Sequence, residues 1–366
     1  MSRDLKAGDE LENSYVDERV KFLLPQFEDL APYKLNQRKN GIGDLQGWKK
    51  LAISEARLLK INYPDDKPEE LKTYGTCLRQ ITALKKALKT AARTDLKDAA
   101  LYNPVCTIIT HFGEALSEQF ATYKATQSEL YRKDVQERRQ PENRIQIDLT
   151  NSLKFAYNVL LEIKNGKDVL DKAKPKTEEE KKSLTDEWLS LANWMDVSCS
   201  LALATGRRMG EIHLSARFQK IDDYTVKFKG QLKGKSRRVK LGEKALPIRE
   251  ASFEIPTLLN TELICCALQW LEAKGKKFSH DEDPERVNRR FSKTLNQHCK
   301  EFDIFPEDER TYHKFRAAYF RACVVNAGID AFDFIDYAEK ILIDRDETTI
   351  NSYKRYEIKS GSITRI

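Results

Sequence analysis

From Trp48 to Tyr131 apolar residues recur at helical spacing, as in Ile81, Leu84 and Leu88 or Phe120, Tyr123 and Leu130, with almost no two-residue alternation between them. This half is predicted to be a helical domain. Lys133 to Arg144 is charged, contains Pro141 and has no apolar period, so it reads as a linker between residues 1–140 and 145–366. Helical patterning returns from Leu149 to Ile163 and from Leu184 to Ala204. Between these runs the lysine- and glutamate-rich Asn165 to Lys182 reads as a surface loop. After Thr205-Gly206 the spacing becomes that of strands, with Tyr224–Phe228, Arg237–Leu241 and Phe253–Leu258 as candidates. Helical spacing resumes over Leu263–Ala273, Val287–Phe302, Tyr312–Ala327 and Phe332–Leu342. The expected fold class is mainly α with a small antiparallel β-sheet in the second half.

A length of 366 residues leaves room for more than one core, because single domains run to roughly 100 to 200 residues. One-third of the chain is charged and 40% is hydrophobic, the balance of a globular protein. A net charge of +7 favours an acidic partner only weakly, so its distribution matters more. Lys86, Lys89, Arg93 and Lys97 fall at intervals of three and four, which puts them on one helix face opposite the apolar stripe. That face suits DNA phosphates and suits a merely solvated surface equally well. Met1 to Glu10 lacks the apolar core of a signal peptide and no stretch is long and apolar enough to span a bilayer, so no membrane association and a cytoplasmic location are expected. The seven cysteines form no CxxC pair and the five histidines lack ligand spacing, so neither disulfides nor a metal are expected. Gly230 to Ser236 approaches a phosphate-binding loop, but Lys229 stands where glycine is needed and strand-like residues follow, so no nucleotide cofactor is expected.

Phosphoryl transfer on DNA without a metal needs fixed cations around the phosphorus, because negative charge spreads over its non-bridging oxygens. Guanidinium groups suit this, being always charged and matching two phosphate oxygens with a planar fork. Arg208 lies in Ala204-Thr205-Gly206-Arg207-Arg208-Met209-Gly210-Glu211-Ile212, where glycine ends one helix and the arginine opens the next. Arg316 lies in His313-Lys314-Phe315-Arg316, with His313 and Arg316 at a spacing that shares one helix face. Tyr353, late in the chain, supplies a phenol that becomes a good nucleophile when neighbouring cations stabilise its phenolate.

This order of elements, TG-x-R, a lysine in a hairpin, HxxR and a C-terminal tyrosine, resembles the catalytic domain of the tyrosine recombinases. Three stretches make the chain similar, within that superfamily, to the protelomerases, the hairpin-forming telomere resolvases. They are Thr205–Ile212 with Arg217-Phe218, Tyr224–Lys233, and Arg316–Tyr319 with Thr349–Tyr356. Integrases usually place a histidine and a small hydroxyl residue after the second arginine, where this chain has Ala317 and Ala318. The resemblance spans about Ile145 to Ile358 and implies a recombinase-type catalytic domain there, behind a helical N-terminal half that is expected to bind DNA. It implies that Arg208 and Arg316 clamp the scissile phosphate, that Lys233 protonates the leaving 5′ oxygen and that Tyr353 forms a 3′-phosphotyrosyl bond. His313 would assist as proton acceptor or phosphate donor. Lys229, Lys235, Arg237 and Arg238 crowd the same hairpin and are candidate DNA contacts.

One position departs from the pattern. Relatives carry Leu-Gly-His ahead of the tyrosine, whereas this chain reads Leu342-Ile343-Asp344-Arg345-Asp346-Glu347, placing Asp344 where a phosphate-binding histidine stands. A carboxylate there is repelled by a phosphodiester unless a cation pairs with it, and Arg345 or a nearby lysine is the expected partner. The implied activity is cleavage of duplex DNA at an inverted repeat by a homodimer, followed by rejoining as closed hairpins. A conventional integrase that exchanges strands, and a non-catalytic DNA-binding protein on a decayed recombinase fold, are the competing expectations.

Overall fold

The computed structural model describes residues 15–31, 47–62, 71–137, 140, 143–173, 175, 177–233, 237–241, 244–279 and 282–366. The chain divides into two compact units, Met1–Gln136 and Glu137–Ile366. Among the described residues no helix is long and apolar enough to cross a membrane.

The first unit is helical. Residues 15–31 form α1, followed by α2 (Gly47–Asn62), α3 (Leu71–Thr94), α4 (Tyr102–Glu118) and α5 (Ala121–Glu137). Their apolar stripes meet in one core containing Phe27, Leu59, Leu84, Leu88, Ile108, Phe112 and Phe120. The Phe27 and Phe112 rings lie 5.2 Å apart. Buried Glu55 is held by Arg19 at 2.8 Å, so a charge at the edge of this core is paired rather than stranded. Lys86, Lys89 and Arg93 sit exposed on α3 as expected. Lys97 does not join them: α3 ends at Thr94, and the Lys97 backbone nitrogen donates to Glu28 Oε1 at 2.9 Å. α5 runs to Glu137, so the helix enters the stretch expected to be a linker; a Lys133–Glu129 pair one turn apart supports it.

The second unit holds β1 (Ile145–Ile147), α6 (Thr150–Lys172), α7 (Glu178–Ser190), α8 (Trp194–Thr205), β2 (Arg217–Asp222), β3 (Thr225–Lys229), β4 (Arg238–Leu241), β5 (Lys244–Pro247), β6 (Ser252–Pro256), α9 (Thr261–Ala273), α10 (Pro284–His298), α11 (Lys314–Ala327), α12 (Phe334–Leu342), α13 (Glu347–Ser352) and β7 (Tyr356–Ile358). The stretch Asn165–Lys182, expected as a loop, is mostly helix: α6 continues to Lys172 and α7 starts at Glu178. The charges that disguised it are one-turn ion pairs, Lys164–Asp168 at 2.5 Å and Lys167–Asp171, and Thr177 caps α7 by accepting from the Glu180 nitrogen.

Strand β3 is central in an antiparallel sheet ordered β2-β3-β6, its Val226 and Phe228 facing the core while Lys227 faces out. β2 had no apolar signature because five of its six residues are exposed. β4 and β5 form a separate hairpin, and β1 pairs in parallel with β7, which closes the unit's two ends on each other. The Lys359 nitrogen then donates to Ile147 O at 2.9 Å. Helix α8 packs against α6, α9 and α11, and every residue from Val197 to Thr205 is buried, so its C-terminal end is a fixed platform.

Candidate active site

The platform ends at Gly206, whose φ of +67° lies in the left-handed region and whose Cβ, if present, would fall 2.2 Å from the Tyr319 ring. The next two residues then diverge. Arg207 turns inward and is 1% exposed, its guanidinium 4.7 Å from the Phe228 ring centroid, with Nη2 donating to Ile341 O at 2.7 Å. Arg208 stays at the surface of the site. Its backbone nitrogen donates to Glu211 Oε2 at 3.1 Å and its Nη1 to Oε1 at 3.2 Å. Gln231, with its amide turned so that nitrogen donates to Glu211 Oε1 (3.1 Å) and oxygen accepts from Arg208 Nη1 (3.3 Å), completes the brace.

Arg316, in the first turn of α11, is 2% exposed and donates from Nη1 to Gly206 O and from Nη2 to Leu342 O, both at 2.6 Å. Burial, together with Arg208 and Arg207, lowers its pKa to about 10, still far above neutrality. Glu211 is fully buried; burial alone would push its carboxyl up, but Arg208, Arg207 and Arg316 outweigh that and hold it below the usual range. Arg207, Glu211 and Gln231 were not singled out from sequence. The three-residue interval from Arg208 to Glu211 was the available signal.

Arg208, Lys233, His313 and Arg316 line one cavity of about 420 Å³, together with Arg207, Leu232, Asn288, Asn296 and Tyr312. Arg207 Nη1 and Arg316 Nε are buried without a hydrogen-bond partner among the described residues. Leaving such a donor unpaired costs about 1–3 kcal/mol, a cost that a site built to receive an anion recovers. His313 is partly open to solvent, yet desolvation and the cations Arg316, Arg208, Lys314 and Lys233 depress its pKa to about 4. It is therefore a neutral imidazole at pH 7, suited to accept a proton rather than to add a further charge.

Asp344 lies inside this cation cluster and is 3% exposed. Its Oδ2 is 2.5 Å from Arg208 Nη2, 3.3 Å from Lys233 Nζ and 3.9 Å from Arg316 Nη2, while Oδ1 is 3.1 Å from Lys233 Nζ. Of the two expected partners, a lysine, Lys233, does pair with Asp344, whereas Arg345 does not: it pairs with Glu339 at 3.2 Å. Burial opposes ionisation of Asp344, but Arg208, Lys233 and Arg316 outweigh it and lower its pKa. The residue before it, Ile343, caps α12 at φ +59°, the one non-glycine with positive φ among the described residues. A β-branched residue in that region is strained.

Tyr353 opens a 3₁₀ turn after α13 and is 3% exposed, its ring 5.8 Å from that of Phe320. Its hydroxyl is buried and has no hydrogen-bond partner among the described residues. The turn is anchored through Glu309, which pairs with Arg355, accepts from Tyr356 Oη at 2.5 Å and pairs with Lys314 at 3.0 Å. Of the hairpin cations, Lys229 and Arg237 are half-buried, Arg238 is exposed with Nη2 donating to Ala245 O, and Lys235 lies outside the described residues. Asp196, His298 and Glu301 bring three potential metal-ligand atoms within 4.8 Å of one another. Both imidazole nitrogens already face carboxylates there, at 2.6 and 3.3 Å, contacts that tie α8 to the end of α10.

Residues 143–356 match the model of the telomere resolvase ResT/TelK catalytic domain. Two curated relatives are protelomerases of bacteriophages. That of Escherichia phage N15 is 30% identical over 175 residues, 45% of this chain and 27% of the relative; that of Yersinia phage PY54 is 28% identical over 142 residues, 36% of this chain and 21% of the relative. The chain thus spans about a quarter of the length of the curated relatives it matches. Among solved structures, protelomerase TelA covalently complexed with substrate DNA aligns with a TM-score of 0.55 at 17% identity, covering 94% of each chain. An arginine-to-alanine variant of TelA complexed with a DNA hairpin product aligns at 0.56 and 18% identity, covering 87% of this chain and 84% of that one. At these identities the structural likeness carries the fold.

Proposed function

The chain belongs to the ResT/TelK telomere resolvase family, and from that premise we propose that it cuts duplex DNA through Tyr353 and rejoins the strands as closed hairpins. The observation that carries this reading is the convergence of Arg208, Lys233, His313 and Arg316 on one cavity, although they come from the turn after α8, the β3–β4 connection and the start of α11. Arg208 and Arg316 bind the non-bridging oxygens of the scissile phosphate. The Tyr353 hydroxyl oxygen attacks phosphorus, giving its proton to neutral His313, and Lys233 protonates the departing 5′ oxygen. The product is a 3′-phosphotyrosyl bond and a free 5′ hydroxyl. The 5′ hydroxyl of the opposite strand then attacks that bond and releases the tyrosine, so each phosphodiester broken is balanced by one formed and no ATP hydrolysis is needed to drive the exchange.

Two active sites acting on an inverted repeat give two hairpin ends, which calls for a homodimer on the DNA. Lys229, Lys235, Arg237 and Arg238 would follow the duplex backbone near the cleavage point. Lys86, Lys89 and Arg93 would follow it from the helical unit, with an affinity that falls steeply with salt. Such a substrate implies work beside the nucleoid of a bacterial or phage-infected cell. A second reading, DNA binding without catalysis, is favoured by one observation only, the carboxylate of Asp344 among the phosphate-binding cations. The test incubates wild type and Tyr353→Phe with DNA carrying the inverted repeats of the native replicon, followed by denaturing gels with and without protease. Rapidly reannealing hairpins from wild type alone support resolution. A trapped adduct without hairpins points to strand exchange, and binding without either product leaves the non-catalytic reading.

A further inference from the structure

Building on the phosphate clamp assigned above, we propose that Asp344 is an internal stand-in for the scissile phosphate: in the protein on its own its carboxylate takes the donors meant for the phosphodiester, and the site becomes competent only when a phosphate displaces it. Oδ2 draws on all three cations at once, with Arg208 at 2.5 Å, Lys233 at 3.3 Å and Arg316 at 3.9 Å. A non-bridging phosphate oxygen has to use these same donors. An ionised carboxylate accepts hydrogen bonds and donates none, so it cannot share the clamp with a phosphate as a neutral or protonated histidine could. Two anions a few ångströms apart in a buried site repel, whereas exchanging one singly charged anion for another leaves the net charge of the site unchanged.

The backbone around Asp344 is built for such a movement. The turn ahead of it is fixed, because Arg207 Nη2 holds Ile341 O at 2.7 Å and Arg316 Nη2 holds Leu342 O at 2.6 Å. The strained residue is the next one, Ile343 at φ +59°. Strain confined to the residue between a pinned turn and a displaceable side chain marks the place where the chain swings. Asp344 is also tied forward, its Oδ1 accepting from the Asp346 nitrogen at 3.3 Å, and Asp346 Oδ2 lies 3.4 Å from Lys233. When Asp344 leaves, Lys233 therefore keeps a carboxylate partner in Asp346, which is half-exposed and outside the shared oxygen position.

The test is titration of inorganic phosphate against chloride at matched ionic strength, followed by calorimetry and by melting temperature, on the full chain and on Asp344→Asn and Asp344→Ser. Phosphate is expected to bind both variants at least tenfold more tightly than wild type, and adding Arg208→Ala is expected to remove the gain. Equal phosphate binding by wild type and variants, or none by any of them, overturns the proposal. Should both variants unfold, wild type still decides: a phosphate-specific rise in melting temperature that Arg208→Ala removes supports displacement of Asp344 by phosphate, and an unmoved melting temperature overturns it. Failure of the strand-transfer reading shows separately, as the absence of a Tyr353 adduct on DNA, an outcome that this titration does not depend on.

Discussion

Glu211→Gln tests whether charge, rather than shape, assembles the site. Glu211 is fully buried, and both of its oxygens are acceptors: Oε2 takes the Arg208 backbone nitrogen at 3.1 Å, while Oε1 takes Arg208 Nη1 at 3.2 Å and the Gln231 amide at 3.1 Å. Glutamine keeps the volume, but in either orientation its NH₂ meets a donor. At such a separation and an effective dielectric near 20, a unit pair attracts by about 5 kcal/mol before desolvation is subtracted. Removing one partner of a buried pair costs about 3–5 kcal/mol, and the retained acceptor brings the expectation to about 3 kcal/mol. Urea unfolding at pH 7 with an unchanged m-value measures it. The acid limb gives an independent check. Burial pushes the Glu211 carboxyl up, but its arginine neighbours hold the folded value below the usual 4.5, so its contribution is complete above 4.5 and is lost as pH falls through the lower folded value. The gap between wild type and variant should therefore narrow as pH falls below 4.5. A loss under about 1 kcal/mol at pH 7, or a gap that stays constant into acid, would refute the argument.

Gly230 has φ +111° and an added Cβ would lie 2.0 Å from Ser215 O, a backbone atom, so Gly230→Ala should destabilise by more than about 2 kcal/mol and displace Lys233; urea unfolding and strand-transfer assays check both effects. Tyr353→Phe removes a buried hydroxyl with no partner among the described residues, so its stability should stay within about 0.5 kcal/mol of wild type or rise while the covalent DNA adduct disappears; a larger loss would reveal a hidden partner. Burial lowers the His213 pKa to about 4, so this histidine is neutral in the fold and takes a proton on unfolding below 6.5. Its contribution is complete above 6.5 and falls by about 3 kcal/mol by pH 4, a drop that His213→Asn should lessen in denaturant titrations across that range. Replacing Lys86, Lys89 and Arg93 together by glutamine should flatten the salt dependence of DNA binding; an unchanged slope assigns them to a merely solvated face.

The motif order placed Arg208, Lys233, His313 and Arg316 together because most sit at a local signal, a helix-ending glycine or a helix start, although Lys233, expected in a hairpin, lies in the connection between β3 and β4, which do not pair. What escaped was long-range or buried. Arg207 and Arg208 are adjacent and identical in type and both line the cavity, yet one is buried against Phe228 and the other keeps part of its side chain open to solvent, a choice made by packing around Gly206 and not by sequence spacing. Asp344 was expected to take Arg345 or a nearby lysine; it takes Lys233 and also Arg208, 136 positions away, because α12 ends against the Arg207 and Arg316 guanidiniums. Strand β2 was missed since its polar residues face solvent, and the helix ends around Lys172 and Glu178 were missed since one-turn ion pairs look like loop charge when the fold is unknown.

These buried features bear on how the proposed nucleophile would be kept idle. Tyr353 is packed on Phe320, its hydroxyl unpaired, and its turn is anchored through Glu309 to Lys314, Tyr356 and Arg355. A phenol becomes nucleophilic only when nearby positive charge stabilises its phenolate and a base takes its proton. His313 is already neutral and can serve as that base, so the base does not limit the idle state. The cations do, because Glu211 and Asp344 together occupy Arg208 on both sides. Glu211 is fully enclosed and belongs to the permanent brace, whereas Asp344 stands behind a strained residue at the cavity wall. If only one of the two carboxylates can exchange for a phosphate, it is Asp344, and on the proposed mechanism it would then tie activation of Tyr353 to arrival of the DNA backbone.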